Sequence, residues 1–299
     1  MKIAIIGNSY FGNILTEQLN KYDTNNEYLF YNTSENKIDK IKFFFNLPFI
    51  HTVYSVSASI SEGGALQMAM RFRKKIVQHF IGSDVLTAVE DFKNSRVNNE
   101  LVQASKFLCE VDWIKSELAG ISIEADVASI AVYDKEITPK EFEKFTVLTY
   151  MSQGKEKFYG MEDYIKLAKA FKDVEFRIAG ITSYNETLPE NIKLLGWINM
   201  DDEFQANTCY IRNAKHDGLA FSILEALGYG RIVLYNYNFP HAYYFESSDE
   251  LIRKVSELKE DFESGKLGVN YEAIEYIKTQ YSKEKVLGNL VKILTEPKK

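Results

Sequence analysis

Little in this sequence suggests a crosslinked, metal-clustered or membrane-spanning protein. Only two of its 299 residues are cysteine, Cys109 and Cys209, and they lie far apart in apolar segments. That spacing offers neither a disulfide framework nor a paired-thiol metal motif, so both read as reduced, buried thiols. Positive charge is not in excess. Lys and Arg number 36 against 42 Asp and Glu, a formal net charge of −6, which argues against a nucleic-acid surface as the main function. No stretch reaches the ~18 consecutive apolar residues of a membrane span. The opening "MKIAIIG" is too short an apolar run for a signal peptide. The expectation is a soluble, cytoplasmic protein with at most peripheral membrane contact.

What is present is an ordinary globular composition, 45% hydrophobic and 26% charged, in a length that suits about two domains of roughly 150 residues. Short apolar runs alternate with helical patterns. "KIAIIG" predicts a strand and "YFGNILTEQLNKY" a helix with Phe11, Ile14, Leu15 and Leu19 on one side. "EYLFYN", "HTVYSVSA" and "KIVQHFIG" predict further strands, with helices over "IDKIKFFFNL" and "GGALQMAMRFRKK" between them. "ELVQAS" reads as a short strand, Ser105 as the N-cap of a helix "KFLCEVDWIKSELAG", and Ser83 as the N-cap of the helix after "KIVQHFIG". The polar segment 136–145 reads as a linker, after which the alternation restarts with "TVLTYM", "VEFRIAG", "NIKLLGW", "TCYIR" and "RIVLYN".

Alternation of this kind implies right-handed crossovers and parallel sheets covered on both faces. The predicted fold is α/β, two Rossmann-like open parallel-sheet domains facing a cleft. Residues 1–135 form the first domain, 146–281 the second, and 282–299 a C-terminal helix that packs back on the first. Ligands of such sheets sit at the carboxyl edge of the strands.

The first loop, "GNSYFGN", fails as a dinucleotide fingerprint. Ser9 stands where the second glycine belongs, and the second strand ends in Tyr31 and Asn32 rather than an acid. Gly7 and Gly12 serve the turn, or let backbone approach something in the cleft. The stretch "KHDGLAFSILEALGYG" over 215–230 carries more information. It predicts a helix that starts in the loop beyond "TCYIR", with N–H groups around Gly218, Leu219 and Ala220 pointing outward as an anion site. Glu225 lies about 7–8 Å along that helix among Leu224, Ala226 and Leu227, where a carboxylate needs a hydrogen-bonding partner. The alternative is a solvated face of Ser222, Glu225 and Tyr229. The acids of "DDE" at 201–203 suit a helix N-terminus rather than a metal, and "RFRKK" at 71–75 suits a helix C-terminus, with anionic lipid headgroups as the other reading.

The stretch "HDGLAFSILEALGYGRIVLYN" resembles the donor-binding element of GT-B glycosyltransferases, in particular retaining family 4. The family signature is an acid, seven residues and a Glu, followed by Ala-Leu-x-x-Gly. Asp217 takes the first acidic place, where Glu is commoner, and Glu225 the second. The resemblance extends to "YGMEDYIKLAKAFKDVEFRIAG" and "PENIKLLGWI", about 150 residues in all. It implies transfer of a hexose-type unit from a nucleoside-diphosphate sugar to an acceptor hydroxyl, with retention and without a bound metal or other cofactor.

In the roles the resemblance implies, Asp217 and His79 are catalytic. Gly218, Leu219, Ala220, Gly7 and Gly12 line the donor, Glu225 holds the ribose, and Trp197 and Ile198 meet the base. The family's Arg and Lys-Gly pair are absent from "SQGKEKFYG", where Tyr159 precedes Gly160, leaving Lys155, Lys157 and Arg212 as the candidate phosphate cations. An epimerase of the same fold and a non-catalytic binding module are the alternatives. Nucleic acid is not an expected partner, and the acceptor carries no readable motif.

Overall fold

A computed structural model of the chain describes residues 1–61 and 64–297; the predicted helix start at Gly63 lies outside them. The chain divides into two compact units, residues 1–132 with 281–299, and residues 133–280.

The first unit contains β1 (Lys2–Gly7), α1 (Ser9–Tyr22), β2 (Glu27–Tyr31), α2 (Lys37–Asn46), a 3-10 turn at Leu47–Phe49, β3 (Thr52–Val56) and α3 (Gly64–Arg71). It continues through β4 (Lys75–Phe80), α4 (Asp84–Lys93), α5 (Asn99–Ala104), β5 (Ser105–Cys109), α6 (Asp112–Ala119) and β6 (Ala125–Val127). The strands form one parallel sheet in the order β2-β1-β3-β4-β5-β6. Successive residues of β1 face opposite sides. Ile3 and Ile5 pack with Leu15 and Leu19 of α1, while Ala4 and Ile6 pack with Phe43 of α2 and Leu66 of α3.

The second unit contains β7 (Thr146–Tyr150), α7 (Met161–Ala170), β8 (Glu175–Ala179), β9 (Ile192–Gly196), α8 (Met200–Ala206), β10 (Cys209–Arg212), α9 (Phe221–Gly228) and β11 (Ile232–Tyr235). β12 (Ala242–Tyr244), α10 (Ser248–Glu263) and α11 (Tyr271–Gln280) follow, before α12 (Lys283–Thr295) rejoins the first unit. The strand order is β12-β11-β10-β7-β8-β9, all parallel. Chain progression reverses between β7 and β10, and in the first sheet between β1 and β3. Each reversal parts the loops at the carboxyl edge and leaves a crevice.

α12 is fixed to the first sheet by its carboxyl end. Thr52 Oγ1 donates to the Leu294 carbonyl at 2.8 Å, and Lys75 Nζ donates to the carbonyls of Ile293 and Glu296. Lys75 therefore complements a helix other than the one preceding it, while Lys74 donates to the Pro48 carbonyl and only Arg71 sits in the last turn of α3.

Residues 99–109 reverse the sequence expectation. "ELVQA" is helical, with Asn98 accepting from the Leu101 N–H as its cap, and "SKFLC" is the strand β5 between β4 and β6. A short apolar run suits either element, and its neighbours in the sheet decide. Ser83 makes no side-chain cap; Asp84, the first residue of α4, instead accepts from the N–H groups of Ala58, Ile81 and Gly82 and so ties the preceding loop to the helix.

Candidate functional site

The reversal between β7 and β10 collects the polar groups of the second unit. β10 ends at Arg212, and the loop beyond it is braced before α9 begins. Asn236 exchanges two hydrogen bonds with the backbone of Ala214, and the Lys215 N–H donates to the Phe158 carbonyl. Gly160, at φ +73°, lets this loop approach closely: a Cβ there would fall 2.5 Å from the Asn213 amide nitrogen. Asn213 in turn donates to Asp163 of α7. α9 starts at Phe221, with Ala220 at its N-cap and no side-chain cap. Gly218 and Leu219 are buried in the approach.

Arg212 and Asp217 hold each other. The guanidinium donates from Nε and Nη2 at 2.7 and 2.9 Å, and both side chains are 10% exposed. Burial works against the charge of Arg212, but the hydrogen bonds and charge of Asp217 more than offset it and raise its pKa. The guanidinium also lies 4.8 Å from the Tyr159 ring centroid. Tyr235 OH donates to Asp217 at 3.1 Å and to the Gly218 carbonyl at 3.3 Å. Asp217, expected to be catalytic, is thus paired with Arg212 and Tyr235 and positions that guanidinium. Tyr159, standing where a lysine was expected, serves as the face on which that arginine rests.

Glu225 has the partner its apolar helix requires. Lys135 Nζ donates to Glu225 at 2.8 Å and also to Asp201, and lies 5.9 Å from the Tyr229 ring centroid. The solvated-face alternative does not hold, because Tyr229 is buried and Ser222 accepts from Tyr210 OH at 2.8 Å. The acids at 201–203 open α8 and find cationic partners, Lys135 for Asp201 and Arg177 for Glu203. At the end of β9, Trp197 is 79% exposed and meets Tyr150 edge-on at 6.2 Å, with Ile198 partly exposed beside it.

Lys155 is exposed and Lys157 stands 3.8 Å from Glu162. Lys157, Gly160, Asn213, Lys215 and Asn236 share a cavity of about 260 Å³. Sequence reasoning missed Lys215, although it lies two residues before Asp217. It also missed Lys135, because a lone lysine beside the linker carries no pattern.

In the first unit, Gly7 has φ +101°, and a Cβ there would sit 2.1 Å from the Val56 carbonyl oxygen, so the turn itself demands glycine. Gly12 faces the Phe30 ring, 2.3 Å from where its Cβ would be. It is a packing residue between α1 and β2, not a lining one. His79 is likewise corrected. Its side chain has no exposed surface, Nδ1 meets Tyr54 OH at 2.7 Å, Nε2 lies 3.7 Å from Glu110, and its carbonyl accepts from the Ser57 N–H. Burial lowers its pKa to about 3 and raises that of Glu110 to about 8, so the pair is neutral rather than ionic at pH 7. The crevice between β1 and β3 instead opens into a cavity of about 500 Å³, lined by Gly7 together with Thr33, Ser55, Ser57, Lys40 and Phe43.

Two parallel sheets with reversed strand order, each covered by helices, are the decisive observation. The fold is that of the GT-B glycosyltransferases. Sucrose-phosphate synthase from Thermosynechococcus elongatus superposes at a TM-score of 0.64, with 9% identity over 98% of each chain. The pneumococcal O-GlcNAc transferase GtfA, in complex with UDP and GlcNAc, superposes at 0.60 with 13% identity, covering 86% of this chain and 59% of that one. The chain thus spans little more than half the length of this relative. A Listeria monocytogenes protein provisionally assigned as a UDP-N-acetylglucosamine 2-epimerase superposes at 0.53, with 10% identity over 97% of this chain and 94% of that one. No protein-family model and no curated protein matches the sequence.

Proposed function

We propose that the protein is a nucleotide-sugar-dependent glycosyltransferase whose donor binds the second unit at the β7–β10 crevice. The observation carrying this reading is that β10 ends at Arg212, the loop beyond it carries Lys215, which shares a cavity with Lys157, Glu162 and Asp163, and the same loop leads into an α9 amino terminus without a side-chain cap. Charge develops on the departing diphosphate during transfer, and fixed N–H dipoles and cations lower that barrier. With Arg212 held by Asp217, Lys157, Lys215 and Lys155 are the movable cations that would complete the phosphate cradle. The proposed reaction needs no bound metal and retains configuration at the anomeric carbon.

Glu225 and Lys135 would meet the ribose diol as an acceptor and a donor side by side. Trp197 and Tyr150 would supply a face for the base, since aromatic stacking tolerates any base. Gly218, Leu219 and Ala220 shape the turn through which the sugar approaches Asp217. The hydroxyl-lined cavity of the first unit is the proposed acceptor site, its serines and threonine matched to a polyhydroxy acceptor and Phe43 to an apolar face. That cavity separates this reading from an epimerase, which shares the donor cradle and needs no acceptor.

Thermal-shift titration with UDP, GDP, ADP, CMP and NAD tests the donor site. A ligand bound only by the folded state contributes about 2.7 kcal/mol at 100 times its Kd. Selective stabilisation by one nucleoside diphosphate, reduced in Glu225→Ala, is the expected outcome and names the base. No shift with any of them would leave a non-catalytic binding module.

A further inference from the structure

The first unit exposes an apolar face that its own core does not use. On α2, Phe43 and, just beyond the helix, Leu47 point into the core, while Ile38, Ile41 and Phe45 fall on the opposite side and are 63%, 58% and 69% exposed. Phe49 in the following turn is exposed as well, and Phe72, just past α3, joins the patch by packing edge-on against Phe44 at 6.3 Å. These are large side chains, contiguous across two elements, where isolated ones would need no explanation.

Charge accompanies the apolar face and has a single sign. Lys37, Lys40 and Lys42 punctuate α2, and Arg71 and Arg73 flank Phe72; all five are exposed. Asp39 is the only acid within these two segments, and it is turned inward to accept the Asn32 N–H. The whole chain carries −6, so this concentration runs against the character of the rest of the molecule.

We propose that this face docks the protein on an anionic lipid bilayer. Aromatic and aliphatic tips would enter the headgroup region while the lysine and arginine heads stay at its surface, the pattern of an interfacial amphipathic helix. The acidic remainder of the molecule would be repelled by the same surface, which fixes one orientation. A second copy of the chain is a poor occupant, because it would bring the same positive face against itself.

The test is flotation of the full chain with vesicles of phosphatidylcholine alone, or with one third phosphatidylglycerol, at low and high salt. Binding to the anionic vesicles alone, lost at high salt, is expected. Lys37→Glu with Lys42→Glu should weaken partitioning about 25-fold or more, roughly fivefold for each lysine. Phe45→Ser with Phe49→Ser should reduce it comparably, with the thermal midpoint unchanged. No binding to either vesicle, or binding that both double variants leave intact, overturns the proposal. A concentration-dependent dimer abolished by the phenylalanine variants, without vesicle binding, would assign the face to self-association instead.

Discussion

The crevices of the two sheets occupy the same topological position and are built from different chemistry. Between β7 and β10 the loops are braced by an ion pair and side-chain amide hydrogen bonds: Arg212 with Asp217, Asn213 with Asp163, Asn236 with the Ala214 backbone. Between β1 and β3 the cavity wall is mostly hydroxyls and apolar surface with Lys40 as its one charged residue among the described residues, and His79 and Glu110 are sealed in the interior of that unit. The β7–β10 crevice suits a charged ligand that must be held against repulsion. The β1–β3 crevice suits a neutral, hydroxyl-rich one. Parallel-sheet topology therefore dictates where each crevice lies, and the loop residues dictate what it receives.

The sharpest way to break the comparison is Arg212→Ala. It leaves Asp217 buried without its cation, and loss of one partner of a buried pair costs about 3–5 kcal/mol. Chemical denaturation should register that loss in the second unit, together with loss of any nucleotide-induced thermal shift. Unchanged stability would mean that the pair does not organise this crevice.

The first unit should answer to pH instead. Glu110 has a folded pKa raised to about 8 by burial, so its stabilising contribution is complete below its unfolded value of 4.5 and is lost as pH rises towards 8. His79 has a folded pKa lowered to about 3, so its contribution is complete above its unfolded value of 6.5 and is lost as pH falls towards 3. Together they place the optimum of this unit between pH 4.5 and 6.5. In Glu110→Gln the decline between pH 6.5 and 8 should flatten, which melting curves across that range would reveal. An identical slope in the variant would show that Glu110 is ionised in the folded state.

Two smaller effects separate binding from stability within the second unit. Trp197→Ala should alter folding by no more than about 0.5 kcal/mol, as for other exposed sites. It should weaken nucleotide binding by about 1–3 kcal/mol if a base stacks there, which calorimetry can measure. Lys135→Ala removes a half-exposed pairing worth below about 1 kcal/mol to folding. Its expected signature is a reduced nucleotide shift on a nearly unchanged midpoint. A large fall in the midpoint would make Lys135 a structural tether of Glu225 instead.

Much of the architecture was legible in the residues themselves. Period-2 and period-3.6 patterns located β1, α1, β3, β4, β7, β10 and β11, because burial on one face or both imposes those repeats. The failure at 99–109 came where two short apolar runs adjoin: "ELVQA" and "SKFLC" are each compatible with helix or strand, and only the vacancy between β4 and β6 selects one. Within the candidate site, the acid and glutamate eight positions apart could be seen along the chain, as could the apolar helix that carries Glu225.

Their partners could not. Lys135 reaches Glu225 across 90 residues, and Asn213 reaches Asp163 across 50. The same holds for His79, whose strand-end position is a matter of local pattern but whose burial against Tyr54 and Glu110 is not. Local periodicity determined the elements and their order, since it records which face of each segment leaves water. Which charges meet, which are sealed away and which remain free for a ligand was decided by tertiary structure, because electrostatic pairing depends on distance in space and not along the chain.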